Sequence, residues 1–176
     1  MSGKVVIAGN VVVDRATSAD VEGILALERA NRVDQGGVFN SCFEPGELTA
    51  AFADLPSIVA RQDGRVVGFL LAFEKTAAAT PMVQAMLKAY AGGPDAYVYG
   101  PVCVEASMRG HGLAGAMFAL LLHLLPGREG ILFINARNEP SRRAHEKMPG
   151  MREVGRFELN GLEYLVLSYR GPSAGA

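Results

Sequence analysis

A chain of 176 residues, 49% of them apolar, is long enough for one domain with a sizeable core and too apolar to stay disordered. Seventeen basic residues against 18 acidic ones leave a net charge of −1, and no Lys/Arg cluster alternates with aromatics, which argues against a nucleic-acid partner. Cys42 and Cys103 are too few for a disulfide framework or a zinc site, which points to a reducing, cytoplasmic setting, and no run reaches the ~18 apolar residues of a membrane span.

Met1 to Asn10 reads as an N-terminal extension with a short strand at Val5 to Ala8. Gly9-Asn10 interrupts that run and no small-residue cleavage site follows, so a signal sequence is not expected. Val11-Val12-Val13 opens a strand. Thr17 or Ser18 then caps a helix in which Val21, Ile24 and Leu25 share one face, and which ends near Ala30. Asn31 to Gly46 is a long loop, and long loops in compact domains are often functional. Glu47 to Ala53 reads as a short helix. Ser57 to Arg61 and Arg65 to Glu74 read as strands joined by Gln62-Asp63-Gly64, a hairpin signal. Val66 to Phe73 is almost wholly apolar, as a central strand covered on both faces would be. Thr80 to Tyr90 reads as a helix with Pro81 in its first turn, stopped by Gly92-Gly93-Pro94.

Tyr97 to Val104 is the next strand. After it come Arg109-Gly110-His111-Gly112-Leu113-Ala114-Gly115 and then Ala116 to Leu125, apolar on every side and expected to be a buried helix. Strand, glycine loop and helix start in a row favour an anion. The first N–H groups of a helix lack internal partners, the helix dipole adds positive charge there, and glycine lets a phosphate come close. Pro126-Gly127 ends the helix. Ile131 to Asn135 is a strand and Asn138 to Lys147 a helix. Val154 to Leu159 and Leu162 to Tyr169 flank Asn160-Gly161, a type I′ hairpin signal. The order reads as α+β with one mixed sheet: antiparallel hairpins first, one strand–helix–strand crossover in the middle.

The loop admits two ligand readings. Gly110 to Gly115 spells the dinucleotide fingerprint G-x-G-x-x-G. Its surroundings do not fit: Glu105 to Arg109 separate the strand from the first glycine, and too little chain follows for the second half of such a sheet. An NAD(P)-binding oxidoreductase is therefore a distant third reading. The other reading is acyl-coenzyme A. Arg109-x-x-Gly112-x-Ala114 resembles the R/Q-x-x-G-x-G/A loop of the GNAT superfamily of N-acetyltransferases. Asn138-x-x-Ser141-x-x-Ala144-His145-Glu146-Lys147 resembles that family's N-x-x-A/S-x-x-F-Y-E-K helix, at the expected distance downstream. The resemblance covers roughly Val11 to Arg170, with residues 1–10 as an extension and 171–176 as a flexible tail.

The resemblance implies a single mixed, mostly antiparallel central sheet, splayed at the cofactor cleft, with helices on both faces. It implies acetyl-CoA as cosubstrate, no metal, and an amine acceptor, with the Asn31–Gly46 loop closing over that acceptor. The diphosphate would rest on the N–H groups of Gly110, His111, Gly112, Leu113, Ala114 and Gly115, beside the charge of Arg109. Against this stands a plain tight turn with close helix packing. His111 is expected to lend only its backbone, its ring solvated. The backbone of Val102, Cys103 and Val104 would pair with the pantetheine arm as an added strand. Asn138 matches the asparagine that hydrogen-bonds that arm, the alternative being a helix N-cap. Ser141 is a second candidate contact. His145 stands where the family has a tyrosine that protonates the departing thiolate. Imidazolium is a competent acid near neutral pH, although desolvation would lower its pKa. Met148-Pro149-Gly150-Met151 carries one more residue than the family's turn, which shifts the aim of His145.

No carboxylate stands in Tyr97 to Val104 to act as base. Tyr97 and Tyr99 are read as strand packing or as a relay, and Glu74, Glu44 and Glu47 as remote alternatives. Cys103 has no His or acid at recognisable spacing and reads as a structural thiol. The expected function is acetyl transfer to a primary amine of a small molecule or peptide, by direct attack in a ternary complex. The rival is a non-catalytic coenzyme A-binding module of the same fold. Members of the family often pair, which makes a homodimer an expectation for this chain, with no membrane or nucleic-acid partner.

Overall fold

The computed structural model describes residues 5–7, 10–35, 42–77, 80–173 and 175. They form β1 (Val5–Ile7), β2 (Val11–Arg15), α1 (Val21–Ala30), α2 (Pro45–Asp54), β3 (Ile58–Gln62), β4 (Arg65–Glu74), α3 (Pro81–Ala89), β5 (Tyr97–Val104), α4 (Leu113–Leu124), β6 (Glu129–Asn135), α5 (Glu139–Glu146), β7 (Arg152–Leu159) and β8 (Leu162–Arg170). The strands lie in one eight-stranded sheet in the order β1-β2-β3-β4-β5-β6-β8-β7. β5 runs parallel to β6. The β1–β2, β2–β3, β3–β4, β6–β8 and β7–β8 pairs are antiparallel. The chain is thus the expected α+β fold with a mixed, mostly antiparallel sheet. Among the described residues no helix is long and apolar enough to cross a membrane.

Two compact units make up the chain. One comprises Met1–Ala72 with Pro101–Leu124, the other Phe73–Gly100 with Leu125–Ala176. In the first unit, Asp63 and Gly64 both take positive φ (50° and 83°), the type I′ geometry that matches strand twist, and they close Gln62 on Arg65. The extension adds a strand, since Val5 pairs with Val13 and Ile7 with Val11. Asp20 accepts from the Thr17 N–H (2.8 Å) and hydroxyl (3.0 Å) and so caps the approach to α1. α2 starts at Pro45 rather than Glu47. Pro45-Gly46 reads as loop in the sequence, but proline suits the first helical turn, and Glu47 caps the Glu44 N–H (2.9 Å). The expected long loop is shorter in consequence, and its residues 36–41 lie outside the described ones.

α4 packs on β2 and β3 through Leu113, Met117, Phe118, Leu120 and Leu121. It is not buried all round. Gly115, Ala119 and His123 are exposed at i, i+4 and i+8. Glycine and alanine make that face read as apolar while offering little apolar surface. In the second unit α3 packs on β7, and Thr80 Oγ1 caps it by accepting from the Val83 N–H (3.3 Å). Asn160 (φ 54°) and Gly161 (φ 74°) make the β7–β8 turn. β6 begins at Glu129, two residues before the expected start. Gly130 lies under the Tyr169 ring, whose Cζ would be 2.2 Å from any Cβ there, so only glycine fits that stretch of strand. After β8 the Pro172 carbonyl accepts from the Gly127 N–H (2.9 Å).

Candidate functional site

The glycine loop sits in the first unit. Gly110 and Gly112 take φ of 80° and 77°, a region open to glycine and strained for other residues. Space for a Cβ at Gly110, Gly112 or Gly115 is open, with no atom within 4 Å. Close helix packing therefore does not explain these glycines; the turn itself asks for glycine at 110 and 112, and the open space at all three leaves room for a ligand. The Ala116 N–H makes the first helical bond of α4, onto the Gly112 carbonyl (3.0 Å). Among the described residues, the N–H groups of Gly110 to Gly115 have no protein acceptor. Open glycines and unanswered donors fit a diphosphate.

Arg109, at the start of this loop, is held by two bonds. Its Nε donates to the Val104 carbonyl (3.1 Å) and its Nη2 to Asn31 Oδ1 (2.9 Å). Asn31 is itself fixed by donating to the Leu27 carbonyl (2.8 Å) at the end of α1. Nothing local in the sequence marks Asn31, because its partner lies 78 residues away. Glu28 is a second residue that sequence reasoning misses. It is fully buried and pairs with Arg32 (3.0 Å), and helical spacing from Val21 and Ile24 is the signal that could have placed it on the buried face.

In the second half of β5, Gly100 takes φ 103° and Pro101 brings no N–H, which breaks the strand's regularity. The parallel register of β5 on β6 covers Tyr97–Gly130 and Val98–Ile131. Val102 and Val104 are half-buried and Cys103 is buried. The Val104 carbonyl accepts from Arg109 Nε, which uses one of its two lone pairs. Burial pushes the Cys103 thiol up to about 12 despite nearby Arg109, so it stays a thiol at neutral pH and is no nucleophile.

The second block lies in the second unit, on α5. Asn138 is its N-cap, with Oδ1 accepting from the Ser141 N–H (3.2 Å). The capping role is therefore real. It uses only the carbonyl of the amide and leaves the NH2 hydrogens out of the helix bonding. His145 is 6% exposed, and its Nδ1 donates to the Ser141 carbonyl (2.7 Å). Ser141 Oγ lies 3.4 Å from the same nitrogen. The ring meets Tyr99 edge to face (5.6 Å, 83°), and Nε2 is buried without a partner among the described residues. Burial lowers the imidazole's pKa, offset only in part by the Ser141 carbonyl. The neutral ring is thus favoured, which opposes the acid role expected of His145.

A depressed histidine pKa has a stability signature. Its contribution is complete above the unfolded value of 6.5 and is lost as pH falls through the folded value. Melting temperature should therefore fall between pH 7 and pH 5, and His145→Phe should flatten that fall. Parallel melting curves for the two proteins across this window would remove the assignment.

Several of the remaining base candidates already have protein partners, while Glu44 is exposed just ahead of α2. Tyr97 and Tyr169 share a hydroxyl–hydroxyl bond (2.6 Å), and burial pushes Tyr97 up to about 12. Tyr99 is buried too, with its hydroxyl on Met148 Sδ (3.8 Å) and its pKa raised by burial. Both tyrosines are strand packing. Glu74 pairs with Arg128 (3.2 Å), and Glu47 is the cap of α2. Among the described residues no His/Cys/Asp/Glu group could hold a metal ion.

Among solved structures the chain is similar to yncA, a putative acetyltransferase from Salmonella typhimurium with its cofactor acetyl-CoA (15% identity, 95% of this chain and 97% of that one, TM-score 0.68). It is similar to an N-acetyltransferase from Staphylococcus aureus Mu50 (22% identity, 92% and 98%, TM-score 0.61). It is also similar to Arabidopsis thaliana Naa50 in complex with the bisubstrate analogue CoA-Ac-MVNAL (13% identity, 90% and 97%, TM-score 0.65). Identities this low speak to the fold alone. A search of curated proteins finds no match. The model of the acetyltransferase (GNAT) family matches residues 26–151. That match takes in both the glycine loop and the helix capped by Asn138, and the chain belongs to the GNAT family of acetyltransferases.

Proposed function

We propose that the protein is an acetyl-CoA-dependent N-acetyltransferase, acting in the cytoplasm on a primary amine by direct attack in a ternary complex. The carrying observation is the run of unanswered N–H groups from Gly110 to Gly115 behind open glycines, with Arg109 alongside. Binding of acetyl-CoA by the Salmonella relative and of a coenzyme A conjugate by the Arabidopsis one supports the same cosubstrate for this chain. In this reading the loop takes the diphosphate and the backbone of Val102, Cys103 and Val104 takes the pantetheine arm, with Asn138 and Ser141 as further candidate contacts of that arm.

The buried thiol of Cys103 favours direct attack over an acyl-enzyme. The amine nitrogen bonds to the thioester carbon, the carbon–sulfur bond breaks, nitrogen gives up one proton and sulfur gains one. A thiolate is a good leaving group, so water can carry that proton. His145→Phe is expected to leave turnover within about threefold, whereas loss of an essential general acid costs roughly 100-fold or more.

The lack of a carboxylate in Tyr97–Val104, and His145 standing in place of the family's tyrosine, keep a second reading, a module that binds coenzyme A without turnover. One assay separates the two: free thiol released from acetyl-CoA in the presence of small amines and peptide N-termini, beside calorimetric binding of acetyl-CoA. Binding with amine-dependent thiol release is expected. Binding without release for every amine leaves the module, and no binding removes both.

A further inference from the structure

His111 lies between two glycines of positive φ while its own φ is negative, so the sign alternates at Gly110, His111 and Gly112. Such alternation gathers successive N–H groups on one side, where they form an anion-binding concavity. Crowded N–H dipoles repel one another when no anion is present, and two glycines give the loop freedom to relax. A peptide flip would put a carbonyl where a phosphate oxygen must sit. Something has to hold the concave shape in the empty protein.

His111 is exposed, and its ring also folds back onto the loop. Its Nδ1 lies 3.2 Å from the Met108 carbonyl and 3.1 Å from the Arg109 carbonyl. Carbonyl oxygens only accept, so Nδ1 carries the hydrogen and donates to both as a forked bond. This exposed side chain, expected from sequence to lend only its backbone, engages the two carbonyls just ahead of the concavity. Arg109 is tied separately, to Val104 and Asn31, so the same turn is held from two directions.

We propose that His111 is a positioning residue for the cosubstrate's phosphates. Its Nδ1–H holds the Met108 and Arg109 carbonyls aside and keeps the N–H groups after them turned toward a phosphate oxygen. The inference rests on the proposed function above. It concerns phosphate chemistry, which coenzyme A supplies from its diphosphate and from its 3′-phosphate.

The test is calorimetric binding of coenzyme A, 3′-dephospho-coenzyme A and pantetheine to wild type, His111→Ala and His111→Asn. Asparagine can donate to a nearby backbone carbonyl and stands in for the imidazole. His111→Ala is expected to weaken coenzyme A by roughly five- to tenfold, the worth of about one hydrogen bond, and to leave pantetheine unchanged. His111→Asn should recover most of the loss. An equal loss for dephospho-coenzyme A assigns the effect to the diphosphate, and its retention there assigns it to the 3′-phosphate; either supports the role. Unchanged coenzyme A affinity in His111→Ala, or an equal loss for pantetheine, overturns it. Wild type that binds no coenzyme A brings down the functional reading itself.

Discussion

Gly112→Val is expected to weaken acetyl-CoA binding by roughly two orders of magnitude while the protein stays folded. The substitution forces a β-branched residue to φ 77°, at a cost of about 1–2 kcal/mol. For a chain of this size that lowers the melting temperature by only a few degrees. No protein atom lies within 4 Å of the new Cβ, so the side chain meets no neighbour. It fills the space in which a phosphate would reach the loop's N–H groups. Gly115→Ala makes the complementary test. It lies in the first turn of α4 with the same open space, so alanine should stabilise the helix by about 0.5–1 kcal/mol. The same methyl group should weaken acetyl-CoA. A variant that melts higher and binds worse is what a ligand-facing glycine gives and a structural glycine does not. Were both variants to bind acetyl-CoA as wild type does, the loop would have no part in holding it.

What the sequence discloses is local. Asp63-Gly64 and Asn160-Gly161 announce their turns because few residues accept positive φ, and the loop of Gly110 and Gly112 is legible for the same reason. What it hides depends on partners far along the chain. Glu129-Gly130 looks like the end of a turn after Pro126-Gly127. It becomes strand because Tyr169 needs the space above Gly130 and because four donors converge on Glu129. The position of His145 follows from the motif. Its protonation state does not, since the Tyr99 ring and the depth of burial set it. α4 departs from expectation for a different reason: periodicity counts Gly115 and Ala119 as apolar, and exposure costs such small residues little.

Glu129→Ala is expected to lower stability by about 3–5 kcal/mol, the range for breaking a buried, hydrogen-bonded charge. The carboxylate is 3% exposed and accepts from the Tyr90 hydroxyl (2.8 Å), the Gly93 N–H (2.8 Å) and the Ser168 hydroxyl (2.5 Å), with Arg170 Nη2 at 3.4 Å. Alanine strands these donors, each at roughly 1–3 kcal/mol where it stays out of reach of water. The turn before β5 loosens with them, since Gly93 is pinned there on one side by Glu129 and on the other by Lys75, whose Nζ donates to the Gly93 carbonyl (2.8 Å). A fall in melting temperature on the order of 10 °C follows for a chain of this length. The pH dependence carries its own sign. Burial raises the pKa of Glu129, but the donors from Ser168, Gly93 and Tyr90 and the Arg170 charge outweigh it, so the folded value lies below the ordinary 4.5. The unfolded chain then binds more protons in that window, and the stabilisation is present above pH 4.5 and lost as pH falls through the folded value. Asp20 is depressed as well: burial raises its pKa, and the Arg61 and Thr17 bonds outweigh that, so acid sensitivity will not vanish in the variant. It should become shallower. A Glu129→Ala protein whose melting temperature tracks that of wild type at a constant offset from pH 6 to pH 3 would mean that the carboxylate is no more ionised in the fold than in the open chain, and the hydrogen-bonded hub around it would have to be redrawn.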